Sequence, residues 1–336
     1  MKQVFKWLIK AAAAGLIALG ALCLWCALYY NVPVHYTNET GATEYRWESS
    51  KFYRKGTEGF AFGRTNNDGF NNLKDFTPGE RIDVLLMGSS HMEAMNVSQD
   101  ENTAARLNDM LGGEKYVYNI GVSGHTLMYC LKHLEDALST YGPREYVVIE
   151  TRDVGFPQQE MEQVLEGSLP DIPSQSGGLI GLVQKLPYLR LFYTKHVKGA
   201  DDVDAAKALG AGQQERDDEK CTELMGKLME MLSTECSAAG VRPIVVYHPT
   251  LYVDEAGEAY TQTEEAELRR MQAACEDAGV TFVDLTESFL SAYEGQHRLP
   301  YGFLNTAPGK GHMNSFGHSL FAQGVYEAIE ETEAGA

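Results

Sequence analysis

Continuous apolar stretches alternate with amphipathic ones through most of the chain after residue 80. The strand-like stretches, rich in β-branched and aliphatic residues, cover 82–87, 115–120, 146–151, 241–247 and 280–285. Helical spacing of apolar residues occurs between them near 101–112, 126–141, 214–239 and 262–278, and again near 316–331. Strands without polar alternation are typical of a parallel sheet covered on both faces. The pattern predicts an α/β fold, a flavodoxin-like three-layer αβα sandwich with a central parallel sheet.

The N-terminus has a different pattern, because residues 8–30 are almost entirely apolar. Lysines precede this stretch at positions 2, 6 and 10, and aromatic residues end it. About twenty apolar residues suffice to cross a bilayer, and positive charge favours the cytoplasmic side. We therefore predict a single-pass anchor over 1–30, with a cytoplasmic N-terminus and an extracellular remainder on the cell membrane. A cleaved signal peptide is the alternative, disfavoured by the length of the stretch and the lack of a clear A-x-A site.

Two further segments stand apart from the alternation. Residues 31–80 are polar and aromatic with turn signals such as Asn67-Asp68-Gly69, which indicates an extended arm with little chemistry. The main domain is predicted over 81–332. Within it, 155–213 is rich in Gly, Pro and Ser around an apolar stretch at 179–193, which indicates an insertion over one edge of the sheet.

Charge and cysteine usage exclude some function classes. A net charge of −19 opposes binding to nucleic acid or to anionic lipid headgroups, because the phosphate-neutralising contribution has the wrong sign. The cysteines of the predicted domain lack C-x-x-C spacing, so no metal site is expected. Their pairing is left open by the sequence; they are Cys130, Cys221, Cys236 and Cys275.

The segments that follow the predicted strands are unusually polar. Ligands of open α/β sheets bind at the carboxyl ends of the strands, so these segments are the candidates for a site. A further polar segment precedes the last predicted helix. The segments are 88–91 (GSSH), 119–125 (NIGVSGH), 150–153 (ETRD), 247–249 (YHP) and 311–318 (GHMNSFGH).

Ser90 lies in a predicted strand-to-helix turn, directly after the apolar run that ends at Met87. Such a turn exposes a side-chain oxygen and directs backbone N–H groups at an approaching acyl group. Serine is also a favoured helix N-cap, so the segment alone supports a cap as well as a nucleophile.

Together the first, second and last polar segments resemble the SGNH (GDSL-like) hydrolase family, over roughly residues 81–329. The resemblance places Ser90 in the nucleophile position, with Ser89 in place of the family's aspartate. It implies that Gly124, after Asn119, contributes a backbone N–H to an oxyanion hole together with that of Ser90. It also implies that His312, which is followed by Asn314, is the general base.

The sequence departs from this family at two positions. Gly309 stands where an aspartate normally orients the histidine, and 150–153 (ETRD) replaces the Gly-x-Asn that normally donates to the oxyanion. A backbone carbonyl or Asp153 could then hold the imidazole in a Ser-His dyad, or the site could be inactive. The remaining candidates to line the site are Ser89, His91, Asn119, Arg152, Asp153, His248 and Asn314.

These observations predict a serine esterase or O-acyltransferase that forms an acyl-Ser90 intermediate. An anchored domain outside the membrane, together with the family resemblance, implies an acylated cell-envelope or exopolysaccharide glycan, or another acyl donor, as its partner. No metal or organic cofactor is called for. The alternative is a degenerate SGNH-fold protein that binds glycans or assists their assembly without catalysis.

Overall fold

The computed structural model describes residues 2–29, 33–37, 43–55, 58–170 and 217–335. The first part of the predicted insertion is described and contains a helix, Gln158–Leu165. The rest of it, including the apolar stretch at 179–193, lies outside the described residues. The predicted boundary between arm and main domain at 80/81 stays a prediction.

A five-stranded parallel sheet forms the centre of the molecule. Its strands are β5 (Val84–Met87), β6 (Val117–Asn119), β7 (Tyr146–Thr151), β8 (Arg242–Tyr247) and β11 (Thr281–Asp284). Each predicted strand is present, with slightly shorter bounds in most cases. The spatial order is β6-β5-β7-β8-β11, which is the 2-1-3-4-5 order of flavodoxin-like folds, so the predicted fold class is confirmed.

Helices cover both faces of the sheet, as continuous apolar strands require. Alternate residues of each strand belong to two separate apolar clusters, with Leu85 and Ile149 in one and Leu86 and Val148 in the other. In the part of the domain that the structure describes, the α-helices are α2 (Ser90–Glu93), α3 (Thr103–Met110), α4 (Leu127–Lys132), α5 (Leu134–Tyr141), α6 (Gln158–Leu165), α7 (Asp218–Ala238), α8 (Glu265–Ala278), α9 (Thr286–Gln296) and α10 (Ser315–Ala334). Helices α4–α8 pack in the first cluster, and α3, α9 and α10 pack in the second.

The structure differs from the predicted pattern in a few places. The helix predicted near 126–141 is two helices that join at His133. Helix α9 was not predicted, because it buries only Phe289 and Ala292 and so has a weak apolar stripe. The small hairpin of β9 (Leu251–Val253) and β10 (Ala259–Thr261) was not predicted either, because it is largely exposed.

Helix α1 (Lys2–Tyr29) precedes two antiparallel hairpins. Within Lys2–Trp25, an 18-residue window has a mean hydropathy of 2.0, so the helix is long and apolar enough to cross a membrane. A signal sequence near an N-terminus has the same properties, so the helix fits both alternatives. The hairpins are β1 (Pro33–Thr37) with β2 (Thr43–Trp47), and β3 (Phe52–Lys55) with β4 (Ala61–Arg64).

The segment after β4 is attached to the sheet by asparagine side chains. Asn72 donates to the carbonyl of Asn119 (2.8 Å) and accepts the N–H of the same residue (2.9 Å). Asn71 donates to the carbonyls of Glu93 and Ala94, at 3.0 Å each. The segment therefore braces the carboxyl end of β6 and the end of α2, directly beside the candidate site.

Candidate functional site

Ser89 and Ser90 occupy different positions at the start of α2, in the turn after β5. Ser89 is the N-cap of α2, and its hydroxyl accepts the N–H of His91 at 3.3 Å. Ser90 is the first residue of the helix, where backbone N–H groups have no partner within the helix. The capping role therefore belongs to Ser89, and Ser90 is half-buried in the turn at the carboxyl end of β5.

A buried carboxylate fixes the backbone of this turn. Glu150, at the end of β7, is 1% exposed and accepts the N–H of Ser89 at 2.6 Å. A Cβ at Gly88 would lie 2.5 Å from the same carboxylate oxygen, so only glycine fits between β5 and Glu150. Strand β7 neighbours β5 at the point where the strand order reverses, which is the position of ligand sites in this kind of fold.

The charge of Glu150 is paired with His248. The Nε2 of His248 lies 2.7 Å from Glu150 Oε1, and its Nδ1 lies 2.5 Å from the hydroxyl of Tyr301. Tyr301 in turn donates its hydroxyl proton to the carbonyl of Pro249 (2.7 Å), so hydrogen bonds connect Glu150 to this loop through His248. Burial by itself raises the pKa of Glu150, but the hydrogen bond and charge of His248 and the N–H of Ser89 outweigh it and hold that pKa below its usual value.

A second glutamate holds the predicted base. Glu58 Oε2 lies 2.6 Å from His312 Nδ1, and Glu58 Oε1 accepts the backbone N–H of His312, also at 2.6 Å. An ionised carboxylate accepts from both donors, which places the proton of the neutral ring on Nδ1 and leaves the lone pair on Nε2. The group that orients His312 is therefore Glu58, in place of the backbone carbonyl or Asp153 that the sequence suggested.

Neighbouring loops fix Glu58 in this place. The side-chain amide of Asn305 accepts the N–H of Gly59 (2.9 Å) and donates to its carbonyl (3.1 Å). A Cβ at Gly311 would lie 2.0 Å from Glu58 Oε1, and the residue has a φ of +87°, so this position needs glycine for two reasons. Glu58 and His312 thus meet through backbone that both segments hold in place.

His91 joins the first and the last polar segments. Its Nδ1 accepts the backbone N–H of Met313 at 3.1 Å, and its ring centroid is 5.4 Å from that of His312. The ring is 2% exposed, and burial, together with the positive charges of neighbours such as His248 and Arg152, lowers its pKa well below the usual value. Because His91 follows Ser90 directly, these contacts bring the predicted nucleophile and the predicted base to the same end of the sheet.

The loop that carries Gly124 is tied to α2 through a buried glutamate. Glu93 accepts the N–H and the hydroxyl of Ser123, at 3.1 and 2.7 Å, and also accepts the indole N–H of Trp47 at 2.6 Å. Asn119 donates to the carbonyl of Met92 at 2.6 Å. Gly124 itself is exposed with a φ of +89°. Its predicted oxyanion role stays a prediction, but the hydrogen bonds of Glu93 and Asn119 hold the loop against α2, the helix that begins at Ser90.

The other predicted site-lining residues have varied roles. Asn314 is the N-cap of α10 and accepts the N–H groups of Phe316 and Gly317, so its role is structural. Arg152 is exposed and lies 3.1 Å from His91 Nε2 and 3.1 Å from the hydroxyl of Thr250. Asp153 is exposed as well, and its carboxylate acts electrostatically on Glu160 and Tyr247.

The cysteines of the domain are buried and free, and no disulfide joins them. Burial raises the pKa of the Cys236 and Cys275 thiols to about 12. They are core residues. Within the described ranges, no group of three or more His, Cys, Asp or Glu side chains is arranged to hold a metal ion.

Two residues of the site were missed in the sequence: Glu58 and Glu150. Glu58 lies in the arm, and nothing in the pattern around it links it to a histidine 254 positions away. Glu150 was within a polar segment after a strand, but only its burial shows that its carboxylate faces Ser89 and not solvent. A glutamate at the end of an otherwise apolar strand was the available signal.

No family model matches the sequence, and no curated protein matches it. Solved structures with a similar arrangement include an esterase from a Pseudoalteromonas species (16% identity, TM-score 0.40, covering 75% of this chain and 98% of that chain). A carbohydrate acetylesterase from Sinorhizobium meliloti has 12% identity and a TM-score of 0.40, covering 75% of this chain and 100% of its own. A member of the lipolytic G-D-S-L family from Veillonella parvula has 11% identity and a TM-score of 0.39, covering 74% of this chain and 98% of its own. The similarity is distant, so residue roles are assigned from contacts within this chain.

Proposed function

We propose that this protein is an SGNH-type serine esterase or O-acyltransferase that acts through an acyl-Ser90 intermediate. The observation that carries the proposal is the Glu58–His312 pair, which lies beside the turn of Ser90. Glu58 supplies the acidic group that the C-terminal motif lacks, and this favours catalysis over a degenerate glycan-binding role. A nucleophile, a base and an orienting acid are the parts that acyl transfer by serine requires.

The proposed reaction begins when Nε2 of His312 takes the hydroxyl proton of Ser90. The Ser90 oxygen then bonds to the ester carbonyl carbon, and the N–H groups of Ser90 and Gly124 stabilise the negative oxygen of the tetrahedral intermediate. His312 returns the proton to the leaving alcohol as the carbon–oxygen bond of the ester breaks. Glu58 stabilises the imidazolium during both transfers.

A second acceptor then releases the acyl group from Ser90. Water gives an esterase, and a hydroxyl of a sugar gives an O-acyltransferase. We infer a glycan of the cell envelope or an exopolysaccharide as the physiological partner, because α1 is long and apolar enough to hold the domain at a membrane. In this arrangement the N-terminus is cytoplasmic and the catalytic domain extracellular.

The experiment that tests this proposal is hydrolysis of 4-nitrophenyl acetate by the full-length protein in detergent. Ser90→Ala and His312→Ala are expected to abolish turnover without lowering the melting temperature. Matched controls are Ser291→Ala and His297→Asn, because Ser291 is an exposed residue of α9 and His297 is the exposed residue directly after that helix. Mass spectrometry of the quenched reaction is expected to show the acyl group on Ser90. Turnover that survives both site substitutions would contradict the proposal.

A further inference from the structure

The contact between His91 and Arg152 brings two hydrogen-bond donors together. The backbone N–H of Met313 can only donate, so Nδ1 of the neutral His91 ring must hold the lone pair that accepts it. The ring proton is then on Nε2. The Nη1 of Arg152, which also can only donate, lies 3.1 Å from that same Nε2. Two hydrogen-bond donors therefore face each other.

The hydrogen-bond partners of Arg152 are neutral groups. Its guanidinium contacts the imidazole of His91 and the hydroxyl of Thr250. The carboxylate of Asp153, the next residue in sequence, is exposed. The charged guanidinium is itself exposed beside His91, so a group from solvent can reach it.

We propose that Arg152 and Nε2–H of His91 form a subsite for an anionic group, a phosphate or carboxylate that the substrate carries near its ester. An oxygen of such a group accepts from both donors and relieves their mutual contact, and the planar guanidinium offers it a fork of N–H groups. The inference rests on the proposed function, since it names the class of substrate. It deepens that function by predicting that the preferred ester is negatively charged.

Inorganic phosphate is the probe for the subsite, because its binding can be measured without turnover. Titration calorimetry on the full-length protein at pH 8 is expected to show binding that weakens about tenfold or more in Arg152→Gln, since a charged hydrogen-bond partner is lost. Arg152→Lys is expected to lose less, because it keeps the charge and loses the fork. Arg269→Gln removes an exposed arginine on α8 that is paired with Glu265 and serves as the control.

Nitrogen-15 NMR of labelled histidine tests the second donor. The His91 ring is expected to be protonated at Nε2 in the free protein, and this resonance is expected to shift on addition of phosphate. A ring protonated at Nδ1 would overturn the proposal, and so would equal phosphate binding by the wild type and Arg152→Gln, or no binding by the wild type.

The two proposals fail separately. If phosphate binding depends on Arg152 but no ester is hydrolysed, the subsite stands and the enzymatic function does not. If 4-nitrophenyl acetate is hydrolysed through Ser90 but phosphate binds equally well to Arg152→Gln, the enzymatic function stands and the subsite does not. Phosphate is expected to inhibit hydrolysis competitively in the wild type, with a weaker effect in Arg152→Gln.

Discussion

Replacing Glu58 by glutamine changes a single atom at the point where the proposed base is held. The carboxylate accepts from both the Nδ1–H and the backbone N–H of His312, at 2.6 Å each. An amide has one acceptor oxygen, and its NH2 group faces the remaining donor, so Glu58→Gln keeps at most one of the two bonds. The negative charge that stabilises the imidazolium is lost as well.

The size of the effect follows from these contacts. Hydrogen bonds to charged groups contribute about 1.5–3 kcal/mol each and neutral ones about 0.5–1.5 kcal/mol, so losing one bond and making the other neutral costs about 2.5–4.5 kcal/mol. At about 1.4 kcal/mol for each factor of ten in rate, Glu58→Gln is expected to lower kcat by about 10² to 10³. The upper value is about tenfold below the roughly 10⁴ that removal of the orienting aspartate costs a serine protease.

Steady-state hydrolysis of 4-nitrophenyl acetate measures the change, with kcat and KM determined separately for each variant. KM is expected to stay near the wild-type value, because Glu58 acts on the base and does not contact the ester. Glu58→Asp keeps the charge and is expected to recover part of the rate. Glu330→Gln, at an exposed position of α10, is the matched control. A kcat for Glu58→Gln within about threefold of the wild type, in a variant with unchanged melting temperature, would refute the assigned role of the carboxylate.

Three further predictions concern the residues around the turn. Ser89→Ala removes the cap of α2 and is expected to lower the free energy of unfolding by about 1 kcal/mol in urea titrations while hydrolysis continues; loss of turnover comparable to Ser90→Ala would contradict the assignment of the two serines. His248→Asn removes the hydrogen-bond partner of the buried Glu150 and is expected to lower the free energy of unfolding by about 1–3 kcal/mol, part of which Glu150→Gln restores in the double variant; a double variant no more stable than His248→Asn would count against this contact. Burial, reinforced by Arg106, lowers the pKa of His318 to about 3. Below about pH 6.5 the unfolded chain therefore binds a proton that the folded protein excludes. The contribution of His318 to the free energy of unfolding is complete above about pH 6.5 and is lost as the pH falls towards 3. His318→Gln is expected to make the decline in melting temperature between pH 7 and 5 shallower, and an unchanged slope would contradict this.

Much of the fold could be predicted from apolar periodicity, since the sheet is buried on both faces and its strands are continuous in sequence. The strand order followed from the fold class, and two of the predicted polar segments contain His91 and His312, whose ring centroids lie 5.4 Å apart. Elements with little buried apolar surface, such as α9 and the β9–β10 hairpin, leave a weak pattern and were missed.

The orienting acid could not be predicted for a different reason. Contacts between segments far apart in sequence depend on loop backbone, such as the anchoring of Gly59 by Asn305 and the φ of +87° at Gly311. Neither has a periodic signal. The expectation that the arm contributes little chemistry failed for Glu58 because the arm is polar in sequence and yet its carboxylate faces the site.

The distance in sequence between Glu58 and His312 also bears on biosynthesis. Translation makes the segments that carry Ser90 and Glu58 more than 200 residues before the segment that carries His312. Until His312 has been made, the nascent chain lacks the base that the proposed mechanism uses to activate the serine. On that mechanism, a product cut short before residue 312 contains the sequences of all five strands of the central sheet and is inert towards acyl groups.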